Sequence, residues 1–259
     1  MTVTSAGKLL SRLDSAIVMR GLADSRTRAQ HLIHDARVTV NGTLATKASQ
    51  HVSEDDKILL DKGDDYASRA AYKLIGALKS FLPLGLQSPQ HKQCLDIGAS
   101  TGGFTDVLLR EGANGVVALD VGHGQLVQRI REDKRVTVLE GANIRDIGLE
   151  DLPFRPDYVV SDVSFISLRY VIPVIAELLD CKGDCVLLVK PQFEVGKEHL
   201  GRHGIVEDAD IREEAVLAVE ECAKSYGFEV KARIPSPITG LHGNVEYLMW
   251  LKRHIPASS

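Results

Sequence analysis

Four ionisable side chains, Asp96, Asp120, Asp162 and Lys190, stand at the ends of short apolar runs. The first opens a turn of small residues, Ile97-Gly98-Ala99-Ser100-Thr101-Gly102-Gly103, closed by Phe104. Glycine allows a backbone to approach a ligand closely. The turn does not follow GxGxxG, and no GxxxxGK[ST] stretch is present to hold a triphosphate. Asp96 can meet the ammonium of a methionine moiety, directly or through water. Asp120, followed by Val121, can accept both ribose hydroxyls of an adenosine. Asn143 lies after the next apolar run and suits either the adenine amino group or a structural turn. S-adenosylmethionine fits this set better than a dinucleotide or ATP, the plainer alternative being a tight strand-to-helix turn with a solvent-facing acid.

Those groups converge only if the apolar runs are strands of one sheet. From residue 93 onward, strand-length runs alternate with helical spacing, which predicts a mostly parallel sheet covered on both faces. Strands are expected near 93–97, 115–120, 135–140, 158–162 and 184–190. Two more follow at 228–234 and 245–252 with no helix-sized gap between them, so the last pair is expected to be antiparallel. In open α/β sheets, ligands bind beyond the carboxyl ends of the strands. Asp96, Asp120, Asp162 and Lys190 would therefore reach one crevice. Before the sheet, Ser68 is expected to cap a helix whose buried stripe is Ala70, Leu74, Ala77, Leu78 and Phe81, ended by Pro83, with Lys73 flanking the stripe.

The start of the chain has a different character. Leu9, Leu13, Ala16 and Ile17 recur at helical spacing, Gly21 can end that helix, and Ser25 can cap a second with Ala29, Leu32, Ile33 and Ala36 on one face. Val38 and Val40 alternate into Asn41-Gly42, a strong hairpin signal, and Lys57-Ile58-Leu59-Leu60 supplies a later strand. Lys8, Arg12, Arg20, Arg26, Arg28, Arg37 and Lys47 outnumber Asp14, Asp24 and Asp35 here, although the whole chain has a net charge of −4. A locally basic small module points to phosphate contact, with Arg12, Arg26 and Arg28 as candidates. Residues 1–62 are read as this domain, 63–67 as a linker and 68–259 as the second domain.

Composition narrows the classes. A chain of 259 residues with 44% hydrophobic content can bury a full core, and 5% aromatic content argues against a stacking platform as the main device. No apolar run approaches the roughly 20 residues of a membrane span and no leader opens the chain, so a cytoplasmic location is expected. Cys94, Cys181, Cys185 and Cys222 form no CxxC pair and are expected to be buried free thiols. His199 and His203 stand four apart without a clear third ligand, so no metal is expected and the 195–206 segment reads as a substrate-covering loop. Ser164 has no His and Asp partners at hydrolase spacing. Phe165 either stacks on a base or packs in the core.

Five segments resemble one family, the TlyA rRNA methyltransferases, often labelled hemolysin A. They are Tyr66-Ala67-Ser68-Arg69-Ala70-Ala71-Tyr72-Lys73-Leu74, Asp96 to Thr105, Ser161-Asp162-Val163-Ser164-Phe165-Ile166-Ser167, Val189-Lys190-Pro191-Gln192-Phe193-Glu194 and Gly243-Asn244-Val245-Glu246-Tyr247. Arg12-Leu13-Asp14, residues 21–26 and residues 38–42 likewise resemble the αL RNA-binding module named after a small-subunit ribosomal protein. Two departures stand out: Ala70-Ala71-Tyr72 where relatives commonly carry glycines, and His34-Asp35-Ala36 before Arg37 where a glycine-containing turn is common.

The resemblance implies an α/β fold, a Rossmann-like seven-stranded methyltransferase sheet of FtsJ-like type, with a small α+β amino-terminal RNA-binding domain. It implies S-adenosylmethionine as donor and methyl transfer to a cytidine 2′-hydroxyl of ribosomal RNA. The family's K-D-K-E tetrad falls on Lys73, Asp162, Lys190 and Glu246. Arg69 and Phe165 join the expected RNA contacts. A ribose hydroxyl is a poor nucleophile near neutral pH, so the enzyme must orient it and help remove its proton. Lys190 serves either as the base, favoured by desolvation and by the neighbouring cation Lys73 and opposed by Asp162 and Glu246, or as a charged stabiliser of the alkoxide. The rivals are a ribosome-binding assembly factor without turnover and a membrane-lysing protein.

Overall fold

The computed structural model describes residues 2–3, 9–23, 25–34, 36–60, 66–240 and 243–253. Lys8, Asp24, Asp35, His242 and positions 63–65 of the expected linker lie outside the described residues. The chain divides into two compact units, Met1–Asp65 and Tyr66–Ser259.

In the first unit the elements are β1 (Thr2–Val3), β2 (Leu9–Arg12), α1 (Leu13–Met19), α2 (Arg26–His34), β3 (Val38–Val40), β4 (Thr43–Leu44), β5 (His51–Val52) and β6 (Ile58–Leu60). Helix α2 starts as its sequence predicts: Ser25 Oγ accepts from the Arg28 N–H at 3.1 Å. Asn41 and Gly42 both take positive φ, 51° and 80°, and β3 pairs with both β4 and β6. Leu9 is not helical, however. It lies in β2, where Ser11 and Arg12 pair with Val52 and His51, and the next two N–H groups, of Leu13 and Asp14, bond the carbonyls of Gln50 and Ala48. Strand pairing thus claims the residues before Leu13, and the helix begins one turn later than its apolar spacing suggests. Leu13, Ala16, Ile17, Ala29, Leu32, Ile33, Val38 and Val52 form this unit's core.

The second unit contains α3 (Ala71–Phe81), β7 (Gln93–Ile97), α4 (Gly103–Arg110), β8 (Gly115–Asp120), α5 (Gln128–Arg131), β9 (Val136–Glu140), β10 (Tyr158–Ser161), α6 (Leu168–Leu178), β11 (Asp184–Val189), α7 (Pro191–Glu194), α8 (Ala209–Ser225), β12 (Phe228–Pro235) and β13 (Tyr247–Arg253). Its seven strands run in the order β12-β13-β11-β10-β7-β8-β9. All neighbours are parallel except β13, which is antiparallel to both β11 and β12. The expected antiparallel ending is therefore present. Alternate residues of the central strands face two apolar layers: Cys94, Val116, Val160 and Val186 join α3 and α4, while Leu95, Val117, Val159 and Leu187 join α6 and α8.

Two expectations fail in this unit. Ser68 does not cap α3: the helix opens at Ala71 with no side-chain cap, after turns in which the N–H groups of Ala71 and Tyr72 bond the carbonyls of Ser68 and Arg69. Cys181 is exposed and Cys222 half-buried, because they lie in a turn and on a partly solvated helix face; only Cys94 and Cys185 are buried.

Candidate active site

Strand direction explains how distant residues meet. Asp96, Asp120, Asp162 and Lys190 lie at or just past the carboxyl ends of β7, β8, β10 and β11. Because β13 runs the other way, its first residue is paired with the last of β11, Tyr247 with Val189. Glu246, just before β13, thus arrives at the same edge as Lys190. Lys73 comes from α3, in the layer on the Val160 and Val186 face.

These four side chains form a chain of alternating charge. Lys73 Nζ lies 2.7 Å from Glu246 Oε2 and 3.6 Å from Asp162 Oδ2, and Lys190 Nζ lies 2.6 Å from Asp162 Oδ1. Lys73, Lys190 and Glu246 are buried, with relative exposures of 6%, 8% and 3%. Lys73 therefore lies within the buried layer rather than flanking it. Burial alone would push the Asp162 carboxyl up, but Lys190 and Lys73 outweigh it and hold the group below its ordinary range. Buried charges persist when they are paired in this way. At one end Gln192 Nε2 donates to Glu246 Oε1 at 3.4 Å; at the other, Lys190 donates to Ser164 Oγ at 2.9 Å.

The loop after β7 is stitched to β8: the N–H groups of Gly98 and Ala99 bond the Leu119 carbonyl, and the Ser100 N–H donates to Asp120 Oδ2 at 2.8 Å. Thr101 accepts from the Val127 N–H. The glycines answer to protein neighbours as much as to any ligand. Gly98, at φ 86°, would place a Cβ 2.8 Å from the Asp162 carbonyl oxygen, so it lets the ends of β7 and β10 close up. Gly102, at φ 96°, lies against Ile130 and Leu126, and a Cβ on Gly103 would collide with Ser68 Oγ.

The residues present fit a methyl donor with an amino-acid end and a ribose. Asp96 is fully buried, and its Oδ2 accepts from Thr105 Oγ1 at 2.6 Å while its Oδ1 has no partner. Burial pushes this carboxyl up to about 7, the Thr105 hydrogen bond opposing and the charge of Asp162 adding to it. An ammonium would satisfy both the orphaned oxygen and the unfavourable charge. Asp120 binds the Gly122 N–H through Oδ1 at 2.7 Å, which fixes the carboxylate and leaves lone pairs for hydroxyls. Beside it Val121 is 68% exposed, an apolar surface next to the proposed ribose acceptor.

Two expected donor contacts are placed differently. Asn143 caps the turn at 144–146, its Oδ1 already accepting from the Arg145 N–H at 3.1 Å and Arg145 Nε at 3.3 Å. The Phe104 side chain is 2% exposed and belongs to the core, because α4 turns that face toward α3.

Phe165 resolves the other way. Its ring is 91% exposed and 5.1 Å from that of Phe193, and its φ of 65° is uncommon for a bulky residue. It is therefore not core. Glu194 is a residue that spacing did not reveal: its Oε2 accepts from Ser167 Oγ at 2.5 Å and its Oε1 from the Leu168 N–H at 2.7 Å. Burial pushes the Glu194 carboxyl up. It ties the loop after β10 to the segment after β11. Thr105, Gln192 and Ser164 were likewise unassigned, although all lie inside the motifs quoted above. His199 and His203 gain no further ligands, since no cluster of three metal-binding side chains occurs among the described residues.

In the first unit, Arg12 clamps Asp14 at 3.0 and 2.9 Å and Arg26 reaches the same carboxylate at 3.1 Å, with Gln30 at 2.8 Å. The Asp14 side chain is fully buried, and the Arg12 hydrogen bond in particular holds it well below the usual carboxylate range. Arg12 and Arg26 remain about half-exposed, while Arg28 and Arg69 are partly buried.

Comparison with known proteins agrees with this geometry. Residues 66–253 match the FtsJ-like methyltransferase family and residues 11–58 the S4 domain. The 16S/23S rRNA (cytidine-2′-O)-methyltransferase TlyA of Mycobacterium tuberculosis is 44% identical over 93% of this chain and 90% of its own length. Hemolysin A of Brachyspira hyodysenteriae is 42% identical over 92% of this chain and 98% of its own. A solved structure from Streptococcus thermophilus, described as a hemolysin, superposes with a TM-score of 0.75 at 38% identity, covering 95% of this chain and 89% of that one. No helix among the described residues is long and apolar enough to cross a membrane. The chain belongs to the TlyA family of FtsJ-like rRNA methyltransferases.

Proposed function

We infer that this protein transfers a methyl group from S-adenosylmethionine to a ribose 2′-hydroxyl, of a cytidine in ribosomal RNA, and works in the cytoplasm. The observation that carries the reading is the chain Glu246, Lys73, Asp162, Lys190, buried except at the partly exposed Asp162 and ending beside the exposed Ser164 and Phe165. A structural ion-pair network has no need of an exposed aromatic ring at its end.

S-adenosylmethionine supplies an activated sulfonium methyl. Asp96 would hold its ammonium, Asp120 its ribose hydroxyls, and the Gly98–Gly103 backbone with Val121 would line the remainder. Lys190 addresses the substrate hydroxyl, as base or as stabiliser of the alkoxide. Asp162 and Lys73 fix its position, and Glu246 anchors Lys73 in turn. Phe165 offers a face on which the target base or its neighbour can stack. Arg12, Arg26, Arg28 and Arg69 contribute phosphate contacts that set register without reading sequence. In this reading residues 1–62 recognise RNA, 68–259 carry the chemistry, and 63–67 join them.

Mapping 2′-O-methylation across ribosomal RNA from cells with and without the protein tests the reading. Loss of methylation at one or more cytidines is expected; an unchanged map would refute it.

A further inference from the structure

Lys190 has two polar neighbours of different kinds. Asp162 Oδ1, at 2.6 Å, belongs to the buried charge chain, whereas Ser164 Oγ, at 2.9 Å, belongs to an exposed residue on the outer side of the lysine. We propose that Ser164 is a positioning residue for methyl transfer, fixing one bonding direction of the Lys190 nitrogen so that a free one points at the substrate hydroxyl. The proposal rests on the reading that Lys190 acts at the ribose 2′-oxygen.

The argument is one of valence. Beyond its carbon, an amine nitrogen has three bonding directions: three N–H donors when charged, two donors and a lone pair when neutral. Ser164 accepts along one of them, while Asp162 holds the nitrogen by charge at 2.6 Å without hydrogen-bond alignment. In the charged form a free direction holds an N–H aimed at the developing alkoxide; in the neutral form it holds the lone pair that takes the hydroxyl proton. Ser164 gains and loses no proton in either case. A lysine side chain is flexible. Asp162 alone would fix the distance of the nitrogen but not its rotation about that contact; a second acceptor fixes both.

The loop is built to hold the serine there. Phe165 follows it at φ 65°, which reverses the chain. Two residues on, Ser167 is bonded to Glu194, four positions after Lys190, and the Phe165 ring packs against Phe193. The segment bearing the hydroxyl and the segment bearing the amine are thus tied to each other at both sides of the contact. Because Ser164 is exposed, the fold does not depend on it.

The test uses the full-length protein, labelled S-adenosylmethionine and ribosomal subunits lacking the modification, under single-turnover conditions across a range of pH. Ser164→Ala should slow methyl transfer on the order of tenfold with donor and RNA affinities unchanged. Losing an acceptor disfavours the charged amine, so the limb of the pH profile that follows Lys190 should move to lower pH. Ser164→Thr, which keeps the hydroxyl, should restore rate and profile. If Ser164→Ala keeps the normal rate and profile while Lys190→Ala is inactive, the serine has no positioning role and the lysine reading stands. A loss equal at every pH, or one that threonine does not rescue, also overturns the proposal. Activity in Lys190→Ala would remove the underlying reading and the proposal together.

Discussion

Lys73 and Glu246 are 173 positions apart in the chain, yet Lys73 Nζ and Glu246 Oε2 meet at 2.7 Å with both side chains buried. Removing Glu246 leaves the buried Lys73 with only the longer contact to Asp162, at a cost of up to roughly 3–5 kcal/mol. Glu246→Ala should therefore lower stability by about that amount and abolish methylation. Replacing both, Lys73→Met with Glu246→Gln, should recover much of the stability but none of the activity. Denaturant unfolding and methyl-transfer assays on the same samples separate the two effects, and recovered activity in the double variant would make the pair purely structural.

Lys190→Ala is expected to abolish transfer in single-turnover assays with substrate binding largely intact, since the lost contact matters mainly in the transition state. Lys190→Arg keeps the charge but cannot deprotonate near neutral pH. Substantial activity in the arginine variant would select the charge-stabilising role.

If Asp96 holds the donor ammonium as proposed, donor binding is coupled to protons. The folded-state Asp96 carboxyl lies near 7 against an ordinary 3.8, so the stability conferred by holding its proton is full below about 3.8 and lost as pH rises to about 7. Asp96→Asn should raise thermal stability most above pH 7, progressively less as pH falls, and make little difference below about pH 4, while weakening donor binding. Near pH 6, binding of the donor ammonium should expel the Asp96 proton. Calorimetry in buffers of different ionisation enthalpy should show this release, and a buffer-independent heat would contradict it.

Asp120→Ala should weaken S-adenosylmethionine binding by roughly 1.5–3 kcal/mol, the range for a hydrogen bond to a charged group. The carboxylate also orders the Ser100 and Gly122 N–H groups, so the loss should come with a less ordered donor loop. Unchanged affinity would take Asp120 out of the site.

Arg12 and Arg26 hold the buried Asp14, and in the proposed reading the arginines of the first unit also contact RNA phosphates. Neutralising Arg12, Arg26 and Arg28 together should weaken RNA binding and flatten its salt dependence, because fewer counterions are released. The same change strands the buried Asp14 carboxylate and should destabilise the unit by on the order of 3 kcal/mol. Adding Asp14→Asn should restore stability without restoring RNA affinity. Donor binding should be unaffected throughout, and a full salt slope in the stabilised variant would place RNA recognition elsewhere.

The sheet was readable because its strands are short, apolar and punctuated by acids, and the predicted ranges fall within a residue or two of those observed. The tetrad's membership came from motif resemblance, and only the antiparallel pairing of Tyr247 with Val189 explains why Glu246 can join Lys190. What resisted was chosen by tertiary contact. Leu9 fits a helix by spacing but pairs as a strand, Asn143 is drawn into a cap, and Phe104 serves the core. Glu194, bonded to Ser167, and Thr105, bonded to Asp96, left no signal because such buried carboxylate–hydroxyl pairs have no periodicity.

The final strand, β13, is an interior member of its sheet, flanked by β11 and β12. During synthesis on the ribosome, an open gap remains between those two until residue 253 has cleared the exit tunnel, and Glu246 has nowhere to dock before then. A stop codon or frameshift even a few codons ahead of Tyr247 would thus remove a central plank rather than a tail. Such late lesions should be as inactivating as early ones, and a nascent enzyme should stay silent toward the RNA of the very ribosome that is making it.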